Sequence, residues 1–404
     1  MGRVFISFLG TSDYSECEYF FRERSRKTKF IQQALIELFC TDFTKEDKML
    51  FLLTEDAKRK NWENGLKEKI AAYNLPAEIR TVDIPVGKSE DEIWKIFEAI
   101  YNELHGEDSV ILDVTHGFRS LPMLGLVILY YTHYMKNIMV EDIYYGAFEA
   151  QDETGRTPIF QLTPFFNLMQ WTSAADAFVN YGFSNKLQDM VKKTAVLHRG
   201  TKGMADAIAK VTESMSTLRG SDIINGQIYT SCIDKIDKLE IAGTSQTAFK
   251  PIISKVREKL DVFKINCPLN FIEAVKWYIN CKIIPQALTM MQEGLLTCFM
   301  HKKQVDCHNR EDRGYASTYL HYNSSRNRKS SKMILREEQI RKYEEWAWNQ
   351  IDDSPIIVDI ADFFASISQL RNDVNHGGFN DGATSYNKII TGVHERLKKL
   401  EEIC

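Results

Sequence analysis

An arginine, an asparagine and a histidine stand close together in Leu370-Arg371-Asn372-Asp373-Val374-Asn375-His376-Gly377-Gly378. The residues before them, Ile360, Phe363, Phe364, Ile367 and Leu370, recur at helical spacing. The Gly377-Gly378 pair is a stop signal for that helix. Asn372 and His376 are four apart and share a face, with Arg371 to one side. A permanent guanidinium charge, a neutral amide and an imidazole that titrates near neutrality make a set able to cleave a phosphodiester without a metal. The same residues also suit an ordinary helix C-terminus, where basic side chains satisfy the last carbonyls. On spacing alone the helix C-terminus is the favoured reading, because short patterns have many false positives.

Two polar loops are the other candidates. An apolar run from Arg3 to Leu9 leads into Gly10-Thr11-Ser12-Asp13, and Ser109-Val110-Ile111-Leu112-Asp113 leads into Val114-Thr115-His116-Gly117-Phe118-Arg119-Ser120. Loops at the carboxyl ends of parallel strands are where α/β sheets bind ligands. The second loop feeds a helix N-terminus, so its amides, with Thr115, Ser120 and Arg119, suit phosphate groups. Neither GxGxxG nor GxxxxGK[ST] occurs, which disfavours a dinucleotide cofactor and an ATPase. Structural turns, with His116 capping a helix, explain either loop alone equally well, and the two loops together less well.

The elements that must hold these residues follow from periodicity. Strands are expected at 3–9, 48–54, 79–84, 108–113 and 142–147, with helices at 30–39, 61–73, 89–104 and from 121 onward. Such alternation predicts a mostly parallel, doubly wound α/β domain over residues 1–165. Residues 166–255 carry helical patterns without catalytic spacing and are expected to form a connector, with His198 and Arg199 on its surface. Residues 256–404 are expected to form an all-α bundle of about five helices, broken at Pro285 and closed by a helix over 385–403. From 302 to 342 eleven Lys and Arg stand against five Asp and Glu, with Tyr315, Tyr319, Tyr322 and Tyr343 interleaved. That mixture suits a cradle for single-stranded RNA, or a solvated loop.

Composition narrows the classes. In 404 residues the net charge is -4, so any attraction to nucleic acid must be local. The eight cysteines include no CxxC pair, which fits free thiols in a reducing cytosol. Cys298, His301, Cys307 and His308 match no zinc spacing, and no metal is expected. The longest apolar run, 121–134, is too short and mixed to span a bilayer. The first residues carry no signal-peptide pattern, so a cytoplasmic protein is expected.

The Gly-Thr-Ser loop and the later Leu-Asp-Val-Thr-His-Gly-Phe-Arg-Ser-Leu-Pro stretch together resemble the CARF domain of type III CRISPR-associated proteins. Leu162-Thr163-Pro164-Phe165-Phe166-Asn167-Leu168-Met169-Gln170-Trp171 is similar to the stretch leaving that domain in the Csx1/Csm6 group. The helical Arg371-Asn372-x-x-x-His376 element resembles the HEPN nuclease motif. The combined resemblance implies a Rossmann-like CARF domain followed by a HEPN domain, in a dimeric or larger homo-oligomeric endoribonuclease of type III CRISPR antiviral defence. It implies activation by cyclic oligoadenylate, with four adenylates favoured over six, and a single-stranded RNA substrate. Gly10, Thr11, Ser12, Thr115, His116, Gly117 and Arg119 would contact the activator. Arg371, Asn372 and His376 would cleave RNA through its 2′-OH, with no cofactor. A CARF domain that degrades its own ligand and a CARF-type transcription regulator are the alternatives. The second would need a helix-turn-helix, and the sequence gives no convincing one.

Overall fold

The computed structural model describes residues 2–116, 120–195, 201–238, 246–325, 355–379 and 382–404. Gly117, Arg119, His198, Arg199, Arg326, Arg328, Lys329, Tyr343 and the Tyr322 side chain lie outside the described residues. Two compact units divide the chain, Met1–Met169 and Gln170–Cys404.

The first unit is built on an eight-stranded sheet. Its strands are β1 (Arg3–Leu9), β2 (Cys17–Phe21), β3 (Arg24–Thr28), β4 (Lys48–Leu53), β5 (Glu78–Asp83), β6 (Ser109–Asp113), β7 (Met139–Gly146) and β8 (Arg156–Gln161), in the order β3-β2-β8-β7-β6-β1-β4-β5. From β7 to β5 every neighbouring pair is parallel, as expected. β1, β4 and β6 are apolar almost throughout because both of their faces are covered. Val4, Ile6, Phe8, Leu50 and Leu112 pack on one side, with α4 (Glu90–Glu103) and α5 (Ser120–Lys136). Phe5, Met49, Phe51 and Ile111 pack on the other, with α1 (Ile31–Phe39) and a π-helix (Lys58–Leu66). The π-helix follows the short α2 (Glu55–Ala57) and leads into α3 (Lys67–Ala71). α5 sits close to the sheet because residue 125 is glycine; a Cβ there would come within 3.2 Å of Leu112 Cδ2.

The sheet is wider than expected. β2 and β3 form an antiparallel hairpin, β8 pairs antiparallel with β7 and parallel with β2, and none of the three was anticipated. β3 reads Arg-Ser-Arg-Lys-Thr, with no apolar alternation, and lies at the sheet edge, where charge is tolerated.

The second unit is helical. It takes up the rest of α6 (Thr163–Tyr181), which starts in the first unit. α7 (Asn185–Ala195), α8 (Thr201–Ser216), α9 (Gly220–Asn225), α10 (Gln227–Asp237), α11 (Gln246–Asp261), α12 (Asn270–Asn280), α13 (Ile284–Lys302) and α14 (Arg310–Asn323) follow. The last two described helices are α15 (Pro355–Asn375) and α16 (Tyr386–Ile403). Phe178, Val211, Val256, Phe271, Met291 and Phe364 belong to one continuous core, so helices on both sides of residue 255 share it. Pro285 falls in the first turn of α13, where its missing N–H costs nothing. α12 and α13 meet at Gly294; a Cβ there would lie 2.1 Å from Phe271 Cδ2.

One expectation is corrected. Much of the polar stretch after His301 is not a loop but helix α14. Asn309 caps it, its Oδ1 accepting from the amides of Glu311 and Asp312 at 2.9 and 3.3 Å. Ala316, Tyr319 and Leu320 are buried on its inner face. Three buried positions amid charged ones hide a helical stripe from a reading of composition. Tyr319, being core, is closed to base stacking. Among the described residues no helix is long and apolar enough to cross a membrane.

Candidate functional site

Adjacent parallel strands bring the two polar loops together. β1 and β6 pair with Ser7 opposite Asp113, so both chains leave the sheet at the same end. Gly10, Thr11, Ser12, Thr115 and His116 there line a cavity of about 260 Å³, over a floor that includes Phe8, Leu52 and Ile84. Five of the seven residues expected to meet the activator thus share one pocket.

Hydrogen bonds fix both loops. Asn61, buried in the π-helix, donates to the carbonyls of Gly10 and Ser12 at 2.9 and 3.0 Å. The Gly10 amide donates to Tyr14 Oη at 2.9 Å. Asp113 is wholly buried; it accepts from Ser7 Oγ at 2.7 Å and from the Thr115 amide at 2.9 Å. Burial is the leading influence on its carboxyl and pushes it up to about 6, against those bonds. Thr115 Oγ1 accepts from the Gly146 amide at 2.8 Å, and the Thr115 hydroxyl is itself a hydrogen-bond partner of the Asp113 carboxyl. The strand so engaged, β7, is also tied to α6: Thr163 Oγ1 accepts from the Ile143 amide at 2.9 Å and donates to Asp142 Oδ1 at 2.8 Å.

His116 stacks on Tyr14, with ring centroids 4.3 Å apart and planes at 27°. Burial holds its pKa down to about 4, so the ring is neutral at physiological pH. Its Nε2 is buried without a partner among the described residues. A neutral imidazole with an unspent nitrogen can donate to a phosphate or accept from a hydroxyl, but brings no charge. Any cation for an anionic ligand must come from elsewhere; Arg119 is the residue of this loop that the sequence offers.

The second candidate set lies on α15. Phe363, Phe364, Ile367 and Leu370 are buried, as their spacing predicts. The helix ends at Asn375, and the His376 amide donates back to Asn372 O at 2.9 Å. Gly377 and Gly378 adopt φ of 69° and 67°, left-handed values that glycine takes without strain. The chain then returns, and the Thr384 amide donates to Asp373 Oδ2 at 2.9 Å. Between the end of α15 and the start of α16 lies a groove of about 770 Å³, into which Asn372 and His376 open.

Arg371 lies to the other side. Its Nη2 donates to Asn372 Oδ1 at 3.1 Å, and its Nε is buried without a partner among the described residues. Its charge reaches His321 of α14, whose pKa burial lowers first and Arg371 lowers further. The structure therefore brings Asn372 and His376 to one open face and holds Arg371 through Asn372. Reading the sequence missed His321, Tyr14 and Asn61. Tyr14 follows directly on the Gly-Thr-Ser loop and was within reach; the other two come from remote elements that no local pattern connects to the sites. Among the described residues no group of three or more His, Cys, Asp and Glu side chains is placed to hold a metal ion.

Residues 4–149 match the family described as CRISPR system endoribonuclease Csx1, CARF domain. Over 132 residues the chain is 32% identical to CRISPR-associated protein MJ1674 of Methanocaldococcus jannaschii. That alignment covers 32% of this chain and spans 20% of the length of the curated relative. The part of the chain that carries the two-loop pocket is thus similar to the CARF domain of the CRISPR-associated Csx1 family.

Proposed function

We propose that this chain is a cyclic oligoadenylate-activated endoribonuclease of type III CRISPR defence that cuts single-stranded RNA without a metal. One observation carries the reading. The CARF-like residues 4–149, with their converging loops, share a chain with an Arg371-Asn372-x-x-x-His376 element whose amide and imidazole face an open groove. RNA supplies its own nucleophile, the 2′-OH. Arg371 neutralises charge developing on the phosphate. His376 moves the proton, and Asn372, bonded to Arg371, keeps the pair in register. The products are a 2′,3′-cyclic phosphate and a 5′-OH.

Self-association fits the same reading. A pocket of about 260 Å³ falls short of an ordinary small-molecule site, so a ring of adenylates needs a second pocket beside it. α5 carries Met123, Val127, Tyr131 and Tyr134 at helical spacing in exposed positions, which supports an interface along this helix. The loop at 113–120 feeds that helix, so pairing along α5 brings two loops toward each other.

The deciding experiment incubates labelled RNA and protein with rings of four and of six adenylates in turn. Cleavage with one ring, 2′,3′-cyclic phosphate ends and indifference to EDTA are expected. Arg371→Ala and His376→Ala should each abolish cleavage and leave ring affinity near wild type. Cleavage by the double variant, or its loss with EDTA, overturns the reading. His116 Nε2, without a partner among the described residues, shares its pocket with Thr11 and Ser12, which also favours breakdown of the ring itself in the first unit. His376→Ala protein given labelled ring separates that activity from RNA cleavage.

A further inference from the structure

Two free cysteines of the helical unit touch each other and take no part in the cleavage step. Cys298 lies on α13 and is buried. Cys404 directly follows α16, is partly exposed, and packs against the core that contains Cys298. The Cys404 thiol donates to the Cys298 sulfur. Backbone contacts hold the two together. Cys298 and Lys302 are four apart and share a face of α13. Lys302 Nζ donates to Ile403 O at 2.7 Å, and the Cys404 amide donates to Leu400 O at 3.1 Å. The lysine thus clamps the peptide bond before Cys404 beside the turn of α13 that carries Cys298.

The same arrangement sets the chemistry of the pair. The hydrogen bond from Cys404 brings the Cys298 thiol down to about 7, against its burial and with help from the Lys302 charge. The bond holds the Cys404 proton more tightly. The pair therefore carries one thiolate near neutral pH, and a thiolate is the form that reacts. Burial pushes the thiols of Cys40, Cys232 and Cys281 the other way.

We propose that Cys298 and Cys404 are an oxidation site, where a peroxide joins them in a disulfide that staples the end of α16 to α13. The thiolate sulfur attacks the peroxide O–O bond; an S–O bond forms, and the departing hydroxide takes up a proton as water. The second sulfur then attacks the first. An S–S bond forms, the S–O bond breaks, and the hydroxyl leaves with the remaining thiol proton as a second water. Two electrons pass from the sulfurs to the peroxide oxygens. The link closes a loop of roughly a hundred residues, long enough to remove much of the freedom of the unfolded chain. α14, α15 and the groove beside His376, lined between Ser366 and Arg396, all lie inside that loop.

The test uses the full reduced chain, treated with equimolar hydrogen peroxide. Intact mass should fall by two hydrogens, and proteolysis should yield the Cys298 peptide joined to the Cys404 peptide. Dithiothreitol should part them. Thermal unfolding of the oxidised chain should come about 10 °C higher than that of the reduced chain. Cys404→Ser should fold, since that side chain is partly exposed, and should gain nothing from peroxide. Should that variant not fold, the peptide map of wild type decides alone. Cys298 and Cys404 both still open to alkylation after peroxide overturn the site. So does either cysteine bonded to a different cysteine, or to a second copy on a non-reducing gel. A joined pair with no rise in unfolding temperature overturns the staple. None of these readouts uses RNA or activator, so they stand apart from the ribonuclease reading.

Discussion

His116 and Asp113 sit three residues apart and push stability in opposite directions with pH. The folded state holds His116 at about 4 against its ordinary 6.5, so between those values the unfolded chain binds more protons. Acidification through that window destabilises the fold. Asp113, raised from 3.8 to about 6, binds its proton more tightly when folded, so its contribution is fullest below 3.8 and fades as pH rises through 6. Thermal unfolding at pH 7 and pH 5 should therefore show a smaller acid loss for His116→Gln than for wild type, and a larger one for Asp113→Asn. Equal losses in all three proteins would mean that neither burial has the assigned effect. At this scale the sequence was legible where chemistry is local. Arg371, Asn372 and His376 fall within two turns of one helix, and Thr115 and His116 directly follow a strand. His321 lies 50 positions before Arg371, and Asn61 lies 51 after Gly10; only folding makes these neighbours.

The same rule holds for elements. Strands buried on both faces announce themselves as unbroken apolar runs, so β1, β4 and β6 were readable. β3 was not, because its edge position accepts the charges of Arg24, Arg26 and Lys27. α14 was hidden by its own charged outer face. Where helices touch, the constraint is steric and equally silent in composition. Gly294 is the contact point of α12 and α13, and the Phe271 ring occupies the space of any added Cβ. Gly294→Ala should cost about 1–3 kcal/mol through overpacking, in spite of the better helix propensity of alanine. Urea unfolding gives the number, and a stabilised variant would show that the two helices separate freely.

For the whole molecule the exposed stripe on α5 is the feature that a single copy does not explain. Glutamates at Val127 and Tyr134 should leave the first unit folded, since both side chains are exposed. They should lower native mass to that of one chain in sedimentation. If the ring needs two pockets, the same variant should need at least tenfold more activator for half-maximal cleavage. A monomeric variant with an unchanged activation curve would uncouple the stripe from sensing.

The hydrogen bonds of β7 have a mechanical side. Near one end the strand is clasped to Thr115; nearer its middle, through Ile143 and Asp142, it is clasped to Thr163, the first residue of α6. A pleated strand is nearly inextensible along its length, so it has no slack to absorb a pull. A ligand that seizes the Thr115 hydroxyl takes hold of a lever whose other arm is the opening turn of α6, the helix by which the chain passes from the sheet to the helical unit.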